Sequence, residues 1–225
     1  MLPVSAVVPI LITSDKSGAG KDFTANYIRN YFEVILVQNR VKTEVTKLHI
    51  AEGMKEMAAD LFGYLGVRSS YFYEAFRKSR NQVLKGVDSN VVDLWVALGN
   101  FARGIHEDVW IEALIREIEK EQAKLKPKEF PSHEEPFGRV FLVCIPDWRF
   151  DRERERLVHK YPTTITITVK SNVEVEEHTF DGGLTFKEFD WSLINDKTEQ
   201  YKVDLLHLCQ EIHTRVQALA PKVGI

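Results

Sequence analysis

The segment AVVPILIT (Ala6–Thr13) is an unbroken apolar run. It ends in SDKSGAGKDF (Ser14–Phe23), which feeds directly into DFTANYIRNYF (Asp22–Phe32). The run, 7–13 in particular, has the length and Val/Ile content of a strand buried on both faces. In the third segment Phe23, Tyr27, Ile28 and Tyr31 recur at helical spacing. A buried strand, a glycine-rich turn and an amphipathic helix in immediate succession open a βαβ unit, and such units build parallel sheets covered by helices on both faces. The rest of the chain continues the alternation. Strands are expected at 44–50, 139–145 (RVFLVCI), 163–169 (TTITITV) and 191–194, and helices at 51–62, 71–84, 91–103, 107–124, 151–159 and 198–220. The stripe of the helix at 51–62 reads Met54, Met57, Ala58 and Leu61; that of the last helix reads Val203, Leu206, Cys209, Ile212 and Val216. A segment with three prolines, 127–138, reads as a surface loop. With 225 residues, 44% of them hydrophobic, the chain suits one sizeable α/β domain.

Composition narrows the function. A formal net charge of -3 creates no general field toward nucleic acid or anionic membrane, so any anion must be met by local basic clusters. Cys144 and Cys209 lie far apart in apolar stretches, which reads as buried thiols in a reducing compartment rather than a disulfide framework. The seven histidines show neither HExxH nor zinc spacing, so no structural metal is expected. The N-terminal MLPVSAVVPILIT has no basic segment ahead of it and is too short to span a bilayer; the expected location is the cytoplasm, a host's if the chain is of phage origin.

The turn at 14–23 approaches the phosphate-binding pattern Gly-x4-Gly-Lys-Ser/Thr but breaks it at both ends: Asp15 replaces the first Gly and Asp22 the magnesium-binding hydroxyl. A phosphate cradle needs small residues that let the backbone curl, the positive end of a helix behind them and a Lys for the outer phosphates. Gly18, Ala19, Gly20 and Lys21 supply these. Asp15 is tolerable with negative φ, or in the left-handed region that Asp adopts more readily than most residues. Asp22 can accept hydrogen bonds from magnesium-bound waters, and Thr24 offers a spare hydroxyl. The plainer reading is a helix that begins with a Gly-rich turn and an acidic first turn.

Four further stretches bear on the choice: HIAEGMKEMAADLFG (His49–Gly63), LWVALGNFARGIHEDVWIEAL (Leu94–Leu114), VFLVCIPDWRFDRERERL (Val140–Leu157) and FDWSLINDKT (Phe189–Thr198). With SGAGKDFTANYI they stand in the order and approximate spacing of the bacteriophage deoxynucleoside monophosphate kinases, and the chain resembles that family over nearly its whole length. The shared features are Gly-Lys-Asp in the loop, Ala-Leu-Gly followed by an Arg, an acidic residue and Trp, and a strand ending in Asp-x-Arg. The chain departs from the family at Val92 and Val96, where Arg and Gln are usual, at Asn100, where Thr or a similar residue is usual, and at Asp15. Animal phosphomevalonate kinases share Gly-Lys-Asp-Phe and the Asp-x-Arg strand end but match the middle stretches less well.

The resemblance implies a P-loop kinase domain over 1–225, with a mainly helical monophosphate-binding region at 51–126 and a lid near 148–160. It implies transfer of phosphate from ATP, with Mg²⁺, to a deoxynucleoside monophosphate, and a possible homodimer with no nucleic-acid or membrane partner. ATP would meet Lys16, Ser17, Gly18, Ala19, Gly20, Lys21, Asp22, Phe23 and Asn195. Lys21, Asp147, Arg149 and Arg152 would be catalytic; Asp22 and Asp147 would hold the metal through water; Lys55, Arg103, Asp108 and Trp148 would meet the monophosphate. Arg149, Arg152 and Arg156 share one helical face, with Arg154 off it. Each role has a plainer counterpart: DRERERL as a solvated charged helix, Lys55 as a surface lysine, Trp110 as core, Asn195-Asp196 as a turn. A small-metabolite kinase and a non-catalytic nucleotide-binding module are the rival functions.

Overall fold

The structure, a computed structural model, describes residues 4–16, 18–35, 41–63, 90–125, 138–172, 184–185 and 187–219. It is an α/β fold on a five-stranded, all-parallel sheet. The elements run β1 (Val4–Ser14), α1 (Lys21–Ile35), β2 (Val41–Lys47), α2 (Glu52–Gly63), α3 (Val91–Ile105), α4 (Val109–Lys124), β3 (Gly138–Ile145), α5 (Asp151–Lys160), β4 (Ile165–Ser171), β5 (Trp191–Asn195) and α6 (Glu199–Ala218). The helix expected at 71–84, the proline-rich loop up to 137 and Ser17 lie outside the described residues.

The strand order is β2-β3-β1-β4-β5. β1 is central, and Ile10 pairs with Cys144 on one side and Ile165 on the other. That position explains the unbroken apolar run, because both faces of the strand are covered. Val8, Ile10 and Ile12 face one way with Val140, Leu142, Cys144, Ile165, Ile167 and Val169. They pack on Ala25, Ile28 and Phe32 of α1 and on Tyr201, Leu205, Leu208, Cys209, Ile212 and Val216 of α6. Each such aliphatic side chain contributes about 1.5–3 kcal/mol by leaving water. The alternate residues Leu11, Phe141, Val143 and Ile145 are equally buried on the opposite face. Between β3 and β4 the chain forms α5, whose Leu157 is also buried.

Two apolar stripes differ from expectation. In α6, Val203 and Leu206 are exposed; the buried set 201, 205, 208, 209, 212 and 216 is the true i, i+4, i+7 stripe, and positions 203 and 206 turn away from it. In α2, Met57 and Leu61 are exposed, and Lys55, Ala58 and Ala59 face inward.

The chain divides into two compact units, 1–49 with 117–225, and 50–116. The first holds the sheet. In the second, Ala58 and Ala59 of α2 pack on Val91, Leu94, Trp95 and Leu98 of α3, and Asn90 caps α3 by accepting from the Asp93 amide at 2.9 Å. Among the described residues no helix is long and apolar enough to cross a membrane.

The topology fixes where a ligand would bind. From β1 the chain runs through α1 to β2, toward one edge; from β4 it runs to β5, toward the other. Where neighbouring strands send their connections in opposite directions, a crevice opens outside their carboxyl ends. The glycine turn sits at that point.

Candidate functional site

Gly18 and Gly20 have φ of 81° and 107°, in the region that side chains disfavour, and Lys21 opens α1 directly behind them. Asp15 needs no glycine: among the described residues Lys197 alone combines a side chain with positive φ. The Asp15 carboxylate accepts from the Ser171 amide at 3.3 Å, tying the turn to the end of β4. Lys21 Nζ donates to Ser14 Oγ at 3.1 Å, and that hydroxyl donates to Lys16 O at 2.8 Å. The first intrahelical bond of α1 runs from the Thr24 amide to Gly20 O at 2.9 Å. The amides ahead of it have no acceptor within the helix, which makes this end electropositive.

Asp22 lies in the first turn of α1, and its Oδ1 accepts from Lys47 Nζ at 3.0 Å. Lys47 ends β2 and was not legible as a site residue. Thr24 is not a spare hydroxyl. It is fully buried, donates to Gly20 O at 3.1 Å and meets Tyr201 Oη at 2.6 Å. Burial pushes the Tyr201 phenol above its ordinary value, with the Thr24 bond offsetting part of the rise, so it stays a neutral donor. Phe23, 48% exposed, lies 6.1 Å from the Tyr201 ring.

At the end of β3, Asp147 is mostly buried, and its Oδ2 stands 3.7 Å from His49 Nδ1. Trp148 is 1% exposed; its indole donates to Phe150 O at 2.7 Å and its ring meets Phe189 edge-on at 5.9 Å. With ring and N–H both engaged, Trp148 is a wedge of the β3–α5 turn and offers no open face to a base. Arg149 and Arg152 are exposed at the start of α5. Glu153 is buried, and its Oε2 accepts from the Arg149 and Phe150 amides, both at 3.1 Å, while its own amide donates to Phe150 O at 3.1 Å. This reciprocal cap sets the backbone that carries Arg149. Asp151 accepts from the Thr185 amide at 2.8 Å.

Past β5, Asn195 Nδ2 donates to Ala19 O at 2.7 Å and its Oδ1 accepts from the Lys197 amide at 3.1 Å. Asp196 accepts from the Thr198 amide and hydroxyl at 2.9 and 2.7 Å, which holds its carboxyl below the ordinary range, and Thr198 caps α6.

In the second unit, Lys55 is only 6% exposed, with Glu52 at 3.7 Å and its ammonium 5.8 Å from the Trp95 ring centre. It is not a surface lysine. Gly99 is buried. A Cβ there would lie 3.0 Å from Met54 Sδ, 3.5 Å from an Arg103 guanidinium nitrogen and 4.0 Å from Trp110 Nε1. Trp110 itself is buried and donates to Gly99 O at 3.2 Å, a core role. Asp108 leads into α4, its carbonyl accepting from the Glu112 amide at 2.9 Å.

No family model and no curated protein matches the chain. Among solved structures, a plasmid partition protein from Borrelia burgdorferi aligns over 96% of this chain and 100% of its own, at 11% identity and a TM-score of 0.34. A likeness that slight does not bear on function.

The structure therefore brings Gly18, Ala19, Gly20, Lys21, Asp22 and Asn195 together in the sheet-bearing unit, and Arg103, Gly99 and Trp110 together in the other. Lys47, Glu153 and Tyr201 are the site residues that sequence reasoning missed. Only Glu153 had a local signal, an acid at the third position of a helix. Among the described residues no three His, Cys, Asp or Glu side chains gather as a metal centre.

Proposed function

We propose that the chain transfers the terminal phosphoryl group of ATP to a deoxynucleoside monophosphate. The observation that carries this reading is the turn after β1: two left-handed glycines ahead of Lys21, at the carboxyl end of the central strand of a parallel sheet. Amides of the Gly18–Lys21 turn and the Lys21 ammonium would bind the outer phosphates.

Mg²⁺ fits the donor set as a hydrated ion. The Asp22 and Asp147 carboxylates lie past the carboxyl ends of the adjacent strands β1 and β3, and carboxylate oxygens are the hard donors this ion takes, directly or through its waters. Bound there it would neutralise charge on the phosphates. Arg149 and Arg152, exposed at the start of α5, would close over the moving group as a lid at 148–160 and exclude water. An Arg so placed is worth roughly 10³–10⁵ in rate. Lys55 and Arg103 would hold the acceptor phosphate, with Asp108 beside the start of α4.

The test is ADP release coupled to a spectroscopic readout, with each deoxynucleoside monophosphate in turn and with phosphomevalonate, on wild type and Lys21→Ala. Wild type should turn over only with a deoxynucleoside monophosphate present. Lys21→Ala should lose at least about 10²-fold of that activity while remaining folded. Equal activity in the two proteins, or ADP release without an acceptor, overturns the reading; turnover with phosphomevalonate alone replaces the acceptor.

A further inference from the structure

The geometry points to Asn195 and Tyr201 as positioning residues that aim the amides of the glycine turn, in place of the direct ATP contact that the resemblance implies for Asn195. The inference rests on the nucleotide reading above for its purpose and on the geometry of the turn for its substance.

A trans peptide points its C=O and its N–H in opposite directions, and no peptide among the described residues is cis. The Ala19 carbonyl is drawn to Asn195 Nδ2 at 2.7 Å. The Gly20 N–H in the same peptide therefore points away from Asn195. The Gly20 carbonyl accepts from Thr24 Oγ1 at 3.1 Å, and that hydroxyl meets Tyr201 Oη at 2.6 Å. The Lys21 N–H is turned away in the same manner. Two consecutive amides thus face outward because their carbonyls are held from behind, that of Ala19 by Asn195 directly and that of Gly20 by Thr24 of α1, whose hydroxyl Tyr201 braces.

The latch is closely fitted. A Cβ on Gly20 would sit 2.5 Å from Asn195 Nδ2, so the contact requires glycine for space as well as for φ. Asn195 is braced at its other end, where Oδ1 accepts from the amide of Lys197, held at a φ of 61°. Non-glycine residues in that region store strain and persist where surroundings over-determine them. Both polar ends of Asn195 are engaged within the protein, Nδ2 by Ala19 O and Oδ1 by the Lys197 amide.

The decisive variant is Asn195→Asp, which keeps shape and the acceptor for Lys197 but sets an oxygen against Ala19 O. Tyr201→Phe is the second, keeping the ring and removing the hydroxyl. Three measurements are made on each. The first is nicking by trypsin after Lys16 and Lys21 in nucleotide-free protein, read by mass spectrometry. The second is the Kd for ADP. The third is the KM for ATP against the KM for the acceptor.

Asn195→Asp should nick about tenfold faster, bind ADP about tenfold more weakly and raise the ATP KM with the acceptor KM unchanged. A general loss of structure would move both KM values. Tyr201→Phe should shift the same readouts less. Unchanged nicking and ADP affinity in Asn195→Asp overturns the latch. So does weaker ADP binding with unchanged nicking, which would make Asn195 a ligand contact. Faster nicking in a protein whose wild type binds no ADP upholds the latch and removes the nucleotide reading instead.

Discussion

At Asp22 a carboxylate stands where a hydroxyl would be usual, and Lys47 Nζ at 3.0 Å explains how the turn tolerates it. The pair spans 25 positions, so nothing local in the sequence announced it; it exists because β2 ends beside the first turn of α1. Their side chains are 33% and 19% exposed, which keeps the pair's net contribution to stability at about 1 kcal/mol or less. Its larger effect is on charge. Lys47 adds a cation beside the glycine turn and partly neutralises Asp22. Lys47→Met should therefore change the melting temperature little, raise the ATP KM several-fold and lower the Mg²⁺ concentration for half-maximal activity. A Mg²⁺ titration of initial rates, with thermal melts alongside, checks this; an unchanged Mg²⁺ requirement would dissociate Lys47 from the site.

Among the described elements, the strands and helices were legible because each carries its own period, and β1 most of all because both its faces are buried. The faces were less legible. Val203, Leu206, Met57 and Leu61 are apolar yet exposed, since composition does not say which side of a helix meets a neighbour. Glu153, inside a run that reads as solvated charge, is buried because two backbone amides need an acceptor.

The joint of β4, β5 and α6 is another such polar device. Asp190 accepts from the Thr166 amide and hydroxyl, each at 2.8 Å, and from Arg215 at 2.9 Å, while Arg215 stacks 4.2 Å from the Trp191 ring centre. Burial pushes the Asp190 carboxyl up, but the bonds from Arg215 and Thr166 together outweigh it and hold the group below the ordinary range. A depressed carboxyl stabilises the fold fully above its unfolded pKa, near 4, and ceases to do so as pH falls through the lower folded value. Asp190→Ala should cost about 1–2 kcal/mol at neutral pH, the modest end for charged hydrogen bonds because the group is half-exposed. The gap between wild type and variant should close as the solution is acidified from about pH 5 toward pH 2. Urea melts across that range measure it; a gap independent of pH would mean that Asp190 acts through packing alone.

For the whole molecule, the useful fact is that both cysteines lie in one core. Cys144 of β3 and Cys209 of α6 are fully buried in the cluster between the sheet, α1 and α6, and burial pushes each thiol to about 12. A thiol so placed reacts only after the sheet opens from its helices. Native protein in mildly alkaline buffer should label at a rate set by that opening, and two thiols per chain should react at once in concentrated guanidinium. The unit 50–116 contains no cysteine but holds Trp95 and Trp110, while Trp148 and Trp191 report on the sheet-bearing unit. Labelling therefore follows one unit and tryptophan fluorescence both, and coincident denaturant transitions would show that the two unfold together. The same assay reads ligand binding without turnover. A ligand confined to the folded state lowers the open population by 1 + [L]/Kd, so ATP at a hundred times its Kd should slow labelling about a hundredfold. Slowing by ATP in wild type that is much reduced in Lys21→Ala would place the nucleotide on the glycine turn, and labelling indifferent to ATP would count against the nucleotide site altogether.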